Sequence, residues 1–90
     1  MLEILKQAVD TFGRESQIEM AIEECAELID ALCKLRRGRV SPEAVITEIA
    51  DVQIMIDQLT YIFGFDEVVA ERTRKLLRLQ KRIKEYGQKK

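Results

Sequence analysis

Residues 18–35, with the sequence IEMAIEECAELIDALCKL, combine a helical pattern of apolar residues with three closely spaced glutamates. At about 100° per residue, the apolar residues form one arc of a helix. Glu24 falls inside that arc, Glu27 falls at its edge, and Glu23 lies further out. The stretch therefore predicts a helix that directs Glu24 and Glu27 toward the interior. The arc consists of Ile18, Ala21, Ile22, Cys25, Leu28, Ile29, Leu32 and Leu35, with Met20 and Ala31 on one flank.

A second acidic pair lies in the next apolar segment, residues 42–63. On a helical wheel of this segment, Glu48 falls in the middle of the apolar arc and Asp51 falls at its edge. If the two helices form an antiparallel hairpin with its loop near residues 38–41, the two acidic pairs lie at matched heights. The wheel positions thus predict that four carboxylates converge.

Glycines and capping residues predict where the helices of the fold begin and end. Glycine favours the position just after a helix, and the four glycines are residues 13, 38, 64 and 87. Helix starts are predicted at the SQIE of residues 16–19, at Ser41 with Pro42, and at Asp66. Helices are therefore expected at about residues 2–12, 15–37, 42–63 and 66–86. Short connections make successive helices antiparallel, which predicts an all-α fold, a compact four-helix bundle-like domain spanning residues 1–90.

The third predicted helix has apolar or small residues on most of its faces. One face carries Val45, Ile49, Val52, Ile56, Leu59 and Phe63, and the other carries Ala50, Ile54 and Tyr61. A helix that is apolar on most faces is buried on most faces. Because a chain of 90 residues can bury only part of its surface, the second face is expected to meet another subunit.

Composition excludes several kinds of site. The chain has no histidine, which rules out Cys/His zinc sites, a Ser-His-Asp triad and Glu-x-x-His di-iron sites. Cys25 and Cys33 lie eight residues apart, about 12 Å along a helix, too far for a disulfide. They are interpreted as small core residues in a reducing compartment. Because no apolar run reaches about 20 residues, neither a membrane span nor a signal peptide is expected, and the predicted location is cytoplasmic.

Converging carboxylates need a compensating positive charge. An unpaired ionised carboxylate in an apolar interior costs several kcal/mol, and the second and third helices offer few inward lysines or arginines. Mg²⁺ prefers oxygen ligands, is commonly held by carboxylates, and completes its shell with water and substrate phosphates. The pattern therefore predicts a Mg²⁺ or Mn²⁺ site; the alternative is that both acidic pairs are solvated surface groups.

Two motifs at this separation resemble those of a known family. EECAE at residues 23–27 and, after twenty residues, EIAD at residues 48–51 are similar to the EExxE and ExxD motifs of the MazG-like, all-α nucleoside triphosphate pyrophosphohydrolases. FGRESQ at residues 12–17 and KLLRLQKR at residues 75–82 extend the resemblance. It implies hydrolysis of (d)NTP to (d)NMP and pyrophosphate in nucleotide-pool cleaning, and assembly as a homodimer or a dimer of dimers. The implied metal ligands are Glu24, Glu27, Glu48 and Asp51.

The resemblance also implies roles for residues around the metal. Glu24 or Glu27 is expected to act as general base, with Glu23 as an outer alternative. Lys75 and Arg82, seven apart on the last helix, match the spacing of the family's phosphate-binding cations. The alternative is that each is a surface cation that extends from the edge of the apolar stripe into solvent. The helical wheels add two further substrate-binding candidates. Arg72 falls within the apolar stripe of the last helix. Gln17 lies on the inward side of the second helix, where it either hydrogen-bonds the substrate or satisfies a buried backbone group near the helix start. Leu79 occupies a position where many relatives carry asparagine, so no nucleoside contact is expected there.

Two other functions fit parts of the sequence. The chain could be a catalytically silent helical dimerisation or regulatory module, although such a module has little reason to keep four inward acids. Residues 1–66 carry thirteen Asp/Glu and six Lys/Arg, net −7, whereas residues 67–90 carry three and nine, net +6. The basic last helix therefore raises nucleic-acid binding as a further alternative. The net charge of −1 and the pI near 5.5 disfavour it, and no nucleic-acid partner is predicted.

Overall fold

Residues 2–88, which the computed structural model describes, form four α-helices and no strand. The helices are α1 (Glu3–Phe12), α2 (Arg14–Arg36), α3 (Pro42–Phe63) and α4 (Phe65–Gln88). Because 91% of the described residues are helical, the all-α prediction is confirmed. No helix within these residues is long and apolar enough to cross a membrane.

Glycine ends α1 and α3 as predicted. Gly13 has φ 98° and its N–H donates to the Val9 carbonyl, while Gly64 has φ 119° and donates to the Thr60 carbonyl. Both φ values lie in the region that residues with a Cβ rarely adopt. The predicted stop at Gly87 is wrong, because α4 continues through it to Gln88 without a positive φ.

Two of the three predicted helix starts differ from the structure. α2 begins at Arg14, so Ser16 lies inside the first turn rather than at the N-cap. α3 begins at Pro42 with Ser41 at the N-cap, as predicted, although the serine side chain makes no capping hydrogen bond. Asp66 lies inside the first turn of α4, where its negative charge interacts favourably with the positive end of the helix dipole.

The core lies between α1, α2 and α3, and α2 and α3 share the most extensive contact. Gln17, near the start of α2, bonds to Gln58, near the end of α3, while Glu27 lies close to Glu48. α1 is joined to α3 by a hydrogen bond of 3.1 Å from the Tyr61 hydroxyl to Asp10. The buried apolar residues are Leu5, Val9, Ala21, Ala31, Val45 and Met55.

The buried face of α2 differs from the predicted arc. Ala21 and Ala31 are buried, whereas Ile22 is 65% exposed and Ile29 is 63% exposed. The physical reason is that α2 carries two adjacent apolar stripes, and only the stripe that contains Ala21 and Ala31 is buried. Cys33, expected in the core, is exposed, and Cys25 is half-buried. Also exposed, contrary to the predicted α3 arc, are Ile49, Ile56 and Phe63.

The last helix packs differently from the other three. α4 contacts only α3 among the other helices, and every described residue of α4 is exposed. The Cα radius of gyration is 16.6 Å, against about 12 Å for a compact chain of this length. A single copy therefore consists of three packed helices and one that extends from them. The exposed apolar stripe of α4 contains Val68, Leu76, Leu79, Ile83 and Tyr86.

Candidate metal centre

Four carboxylates from α2 and α3 lie together and are referred to here as the carboxylate cluster. Glu24, Glu27 and Glu48 each offer one oxygen, and these three oxygens lie within 4.8 Å of one another. The Asp51 carboxylate lies beside that of Glu24 and completes the cluster. On each helix the two acids are three residues apart, so they share one face. The structure thus brings together the four residues that the sequence proposed as metal ligands.

The local sequence of α2 leaves room for a long side chain at Glu24. The buried apolar residues on either side of it along the helix are Ala21 and Ala31. Alanine is short, so these two positions leave space beside Glu24, which is half-buried.

Two oxygens of the cluster are buried without a hydrogen-bond partner. They are Oε2 of Glu24 and Oε2 of Glu48, and both residues are half-buried. The polar groups that face them are other carboxylates, Asp51 beside Glu24 and Glu27 beside Glu48. Two ionised carboxylates have no hydrogen to share, so a proton or a cation between them would give these oxygens a partner.

Burial and mutual repulsion shift the acidity of the same two residues. Removal from water raises the pKa of Glu24, and the charges of Glu27, Asp51 and Glu48 raise it further. The pKa of Glu48 is likewise raised, first by burial and then by Glu27 and Asp51. Every charged group that shifts these two carboxyls is itself a carboxylate. The cluster therefore lacks a compensating lysine or arginine among the described residues that act on it.

The remaining glutamate of EECAE lies outside the cluster. Glu23 is exposed and is not among the three glutamates whose oxygens converge. Glu27 is exposed but keeps an oxygen within the cluster, while Glu24 is half-buried. Of the three residues considered as general base, Glu27 is thus the one that combines access from solvent with proximity to the other carboxylates.

The predicted phosphate-binding cations lie on a different part of the molecule. Lys75, Arg82 and Arg72 are exposed on α4, and α4 makes no contact with α2 in the part of the chain that the structure describes. Within one copy, these three cations therefore do not adjoin the two carboxylates that α2 contributes.

Gln17 lies on the inward side of α2, as the wheel indicated, but its partner is another side chain. Its Nε2 donates to Oε1 of Gln58 at 2.5 Å, and both residues are buried. Sequence reasoning did not single out Gln58. The available signal was its position seven residues after Asp51, which places both on one stripe of α3.

An all-oxygen donor set with two unpartnered buried oxygens fits a hard divalent cation. Mg²⁺ and Mn²⁺ prefer carboxylate and water oxygens, and neither needs nitrogen or sulfur ligands. Glu24 and Glu48 would hold such an ion from the two sides of the helix interface, with Glu27 and Asp51 adjoining.

A shallow apolar groove lies along the exposed apolar stripe of α2, the one that contains Ile22 and Ile29. It has a volume of about 450 Å³, and Ile22, Cys25 and Ile29 form part of its lining, with Leu59 of α3 at one side. Its surface is almost entirely apolar, so it offers no group to bind phosphate. It is instead a surface that gains from being covered.

Comparisons of the chain with protein-family models, with curated proteins and with solved structures returned no match. The similarity of EECAE and EIAD to the MazG-like motifs is therefore a resemblance between short stretches of sequence. The geometry of the carboxylate cluster is independent of that resemblance, because it follows from the chain's own helices.

Proposed function

We propose that this protein is a Mg²⁺-dependent nucleoside triphosphate pyrophosphohydrolase that converts (d)NTP to (d)NMP and pyrophosphate. The observation that carries the proposal is the carboxylate cluster, in which Glu24 and Glu48 each bury an unpartnered oxygen. The resemblance of the two motifs that contain these acids supplies the reaction class. A role in nucleotide-pool cleaning, in the cytoplasm, follows from that activity.

The chemistry assigns different tasks to the carboxylates. A bound divalent cation would neutralise charge on the phosphates and lower the pKa of a coordinated water. Glu24 and Glu48, half-buried between the helices, would be its fixed ligands, with Asp51 beside Glu24. Glu27, which is accessible and adjoins the others, orients the attacking water and accepts its proton as general base. Glu23 stands outside this group and assists only from a distance.

The proposal includes an antiparallel arrangement of α2 and α3. It is supported by two contacts that run in opposite order along the helices, Gln17 with Gln58 and Glu27 with Glu48. With the short connection between Arg36 and Pro42, this is the geometry of a helical hairpin. It is the arrangement in which the two acidic pairs meet.

The proposed assembly is a homodimer or a dimer of dimers. The large apolar side chains exposed on α2, α3 and α4 in one copy support it, since exposed apolar patches commonly mark interaction surfaces. Because α4 does not contact α2 within one copy, we expect such an assembly to bring Lys75, Arg72 and Arg82 to the substrate phosphates at the cluster.

A nucleotide screen tests the activity. The full chain is incubated with each common NTP and dNTP in Mg²⁺, and released pyrophosphate is measured separately from phosphate. We expect pyrophosphate from at least one nucleotide, and none after Glu48→Ala, with the oligomer intact. Asp57→Ala, which removes an exposed acid of the same helix, is the matched control and should leave turnover unchanged.

The outcomes separate the two functional classes. Equal turnover by Glu48→Ala and the unchanged chain would contradict a catalytic role for the cluster. A folded oligomer that releases no pyrophosphate from any nucleotide would favour the silent helical module instead. Release of phosphate rather than pyrophosphate would keep the metal site but change the reaction.

A further inference from the structure

A pair of buried glutamines lies in the same helix interface as the carboxylate cluster. Gln17 is 6% exposed, Gln58 is 4% exposed, and a hydrogen bond of 2.5 Å joins their amide groups. They are the two buried polar residues in residues 2–88. Each amide can donate and accept further hydrogen bonds. The bond between the two joins one position along α2 to one position along α3.

The glutamine pair and the cluster share one helix register. Seven residues after Gln17 on α2 is Glu24, and seven residues before Gln58 on α3 is Asp51, which lies beside Glu24. Seven residues are two helical turns, about 10.5 Å. Three residues after Glu24 on α2 is Glu27, and three residues before Asp51 on α3 is Glu48. The oxygens of Glu27 and Glu48 also converge. A single alignment of the helices therefore produces all three cross-helix pairs.

The buried apolar residues of α2 and α3 offer no directional bond that would select this alignment. They are Ala21 and Ala31 on α2, and Val45 and Met55 on α3. Small and flexible apolar side chains accept sliding by a turn at little cost. The carboxylates oppose the alignment, because they repel one another when they meet. A buried amide that loses its partner, by contrast, is strongly unfavourable.

We propose that the hydrogen bond between Gln17 and Gln58 is a register key, which holds α2 and α3 in the one alignment where their carboxylates meet around a divalent cation. Both glutamines act as positioning residues, since they lie two turns from the cluster and bond to each other. A single buried polar residue that fixes helix register is a known use of such groups. This inference rests on the proposed function, because it assumes that the cluster binds a cation.

The test measures Mn²⁺ binding by electron paramagnetic resonance, and unfolding by heat in EDTA, for the full chain. The main variant is the double substitution Gln17→Met with Gln58→Met, which replaces both amides by apolar side chains of similar length. We expect it to unfold at the same temperature as the unchanged chain or higher, since no amide is left unpaired. Its Mn²⁺ dissociation constant should nevertheless rise about tenfold or more, the effect typical of lost ligand support.

Two further variants separate positioning from stability. Gln58→Met alone leaves the Gln17 amide unpaired, so it should lower the unfolding temperature and weaken Mn²⁺ binding. Gln53→Met changes an exposed glutamine of the same helix and should alter neither. If the glutamines served only stability, Mn²⁺ affinity would follow the unfolding temperature across these variants. The register key instead predicts that the double variant separates the two properties.

The possible failures are distinguishable. A stable double variant that binds Mn²⁺ as tightly as the unchanged chain would overturn the register key and leave the proposed function intact. A double variant that cannot fold, while Gln53→Met folds normally, would also overturn it, because the pair would then be a requirement of folding itself. If the unchanged chain binds no Mn²⁺, the proposed function and the register key fail together.

Discussion

Glu24 and Glu48 occupy positions that cost the isolated chain stability. Both side chains are half-buried, both have a raised pKa, and each has one buried oxygen without a partner. A chain selected only for stability would replace them with apolar or amide residues of similar size. Unfavourable carboxyl groups of this kind are typical of functional sites, where a ligand compensates for them.

Substitution of Glu24 should therefore have opposite effects on stability and on metal binding. Glu24→Gln removes one of the repelling charges, so we expect a higher unfolding temperature in EDTA. The same change removes a ligand and should reduce Mn²⁺ binding and pyrophosphate release at least tenfold. Glu23→Gln, on the exposed neighbour, is the control and should have a smaller effect on each measurement. If Glu23→Gln proves the more damaging, the assignment of these two glutamates is wrong.

The raised pKa values of Glu24 and Glu48 also predict how stability depends on pH without metal. The folded chain holds protons on Glu24 and Glu48 more tightly than the unfolded chain does. Stability should therefore fall as pH rises from 4.5, the ordinary glutamate value, through the raised pKa values, and the full penalty is present above them. Urea unfolding in EDTA across this range measures the slope.

A double variant, Glu24→Gln with Glu48→Gln, provides the control for that slope. It removes both groups, so its stability should fall less over the same pH interval. Added Mg²⁺ should stabilise the unchanged chain more as pH rises, because the ion binds the deprotonated form. Parallel pH profiles for the two proteins would show that other groups dominate.

At the scale of the helices, the sequence pattern predicted where each helix lies in the chain more accurately than it predicted which face of the helix is buried. The bounds of α3 agree with the prediction, and Glu24 and Glu48 are half-buried as their wheel positions indicated. The wheel could not tell which apolar stripe of α2 faces α3, because Ile22 and Ile29 are as apolar as Ala21 and Ala31. Gln58 was missed for a related reason, since a polar residue gives no sign of burial until its partner is known.

The corner between α3 and α4 depends on glycine. Gly64 has φ 119° and ψ 114°, a backbone conformation open only to glycine at low cost. A Cβ added there would also meet the Glu67 carboxylate, which would have to move. Gly64→Ala should therefore lower the free energy of unfolding by about 1–3 kcal/mol, as measured by urea unfolding.

Gly87 provides a matched control for that substitution. It lies inside α4 without a positive φ, and a Cβ there meets no other atom within 4 Å. Gly87→Ala should raise stability by up to about 1 kcal/mol, because alanine restricts the unfolded chain and favours helix. Equal destabilisation by both changes would mean that the corner at Gly64 does not need its unusual backbone.

At the scale of the whole molecule, shape and charge both favour self-association. α4 is exposed along its length, and the radius of gyration of 16.6 Å exceeds the roughly 12 Å of a compact chain. The acidic residues 1–66, net −7, and the basic residues 67–90, net +6, complement each other. Association of copies would thus cover apolar stripes and bring opposite charges together.

Disruption of the apolar stripe of α4 should dissociate the proposed oligomer. Leu76→Asp places a charge within this stripe and loses apolar burial of about 2 kcal/mol per copy, so the dissociation constant should rise at least tenfold. Ala70→Asp adds the same charge on the opposite face of α4 and should leave the assembly unchanged. Sedimentation velocity over a range of micromolar concentrations measures the association of both variants.

If the stripe is an interface, only Leu76→Asp shifts the chain toward monomer. Pyrophosphate release should then decline as well, because α4 would no longer bring its cations to the carboxylate cluster. Equal association by all three proteins would assign the interface to the stripes of α2 and α3 instead.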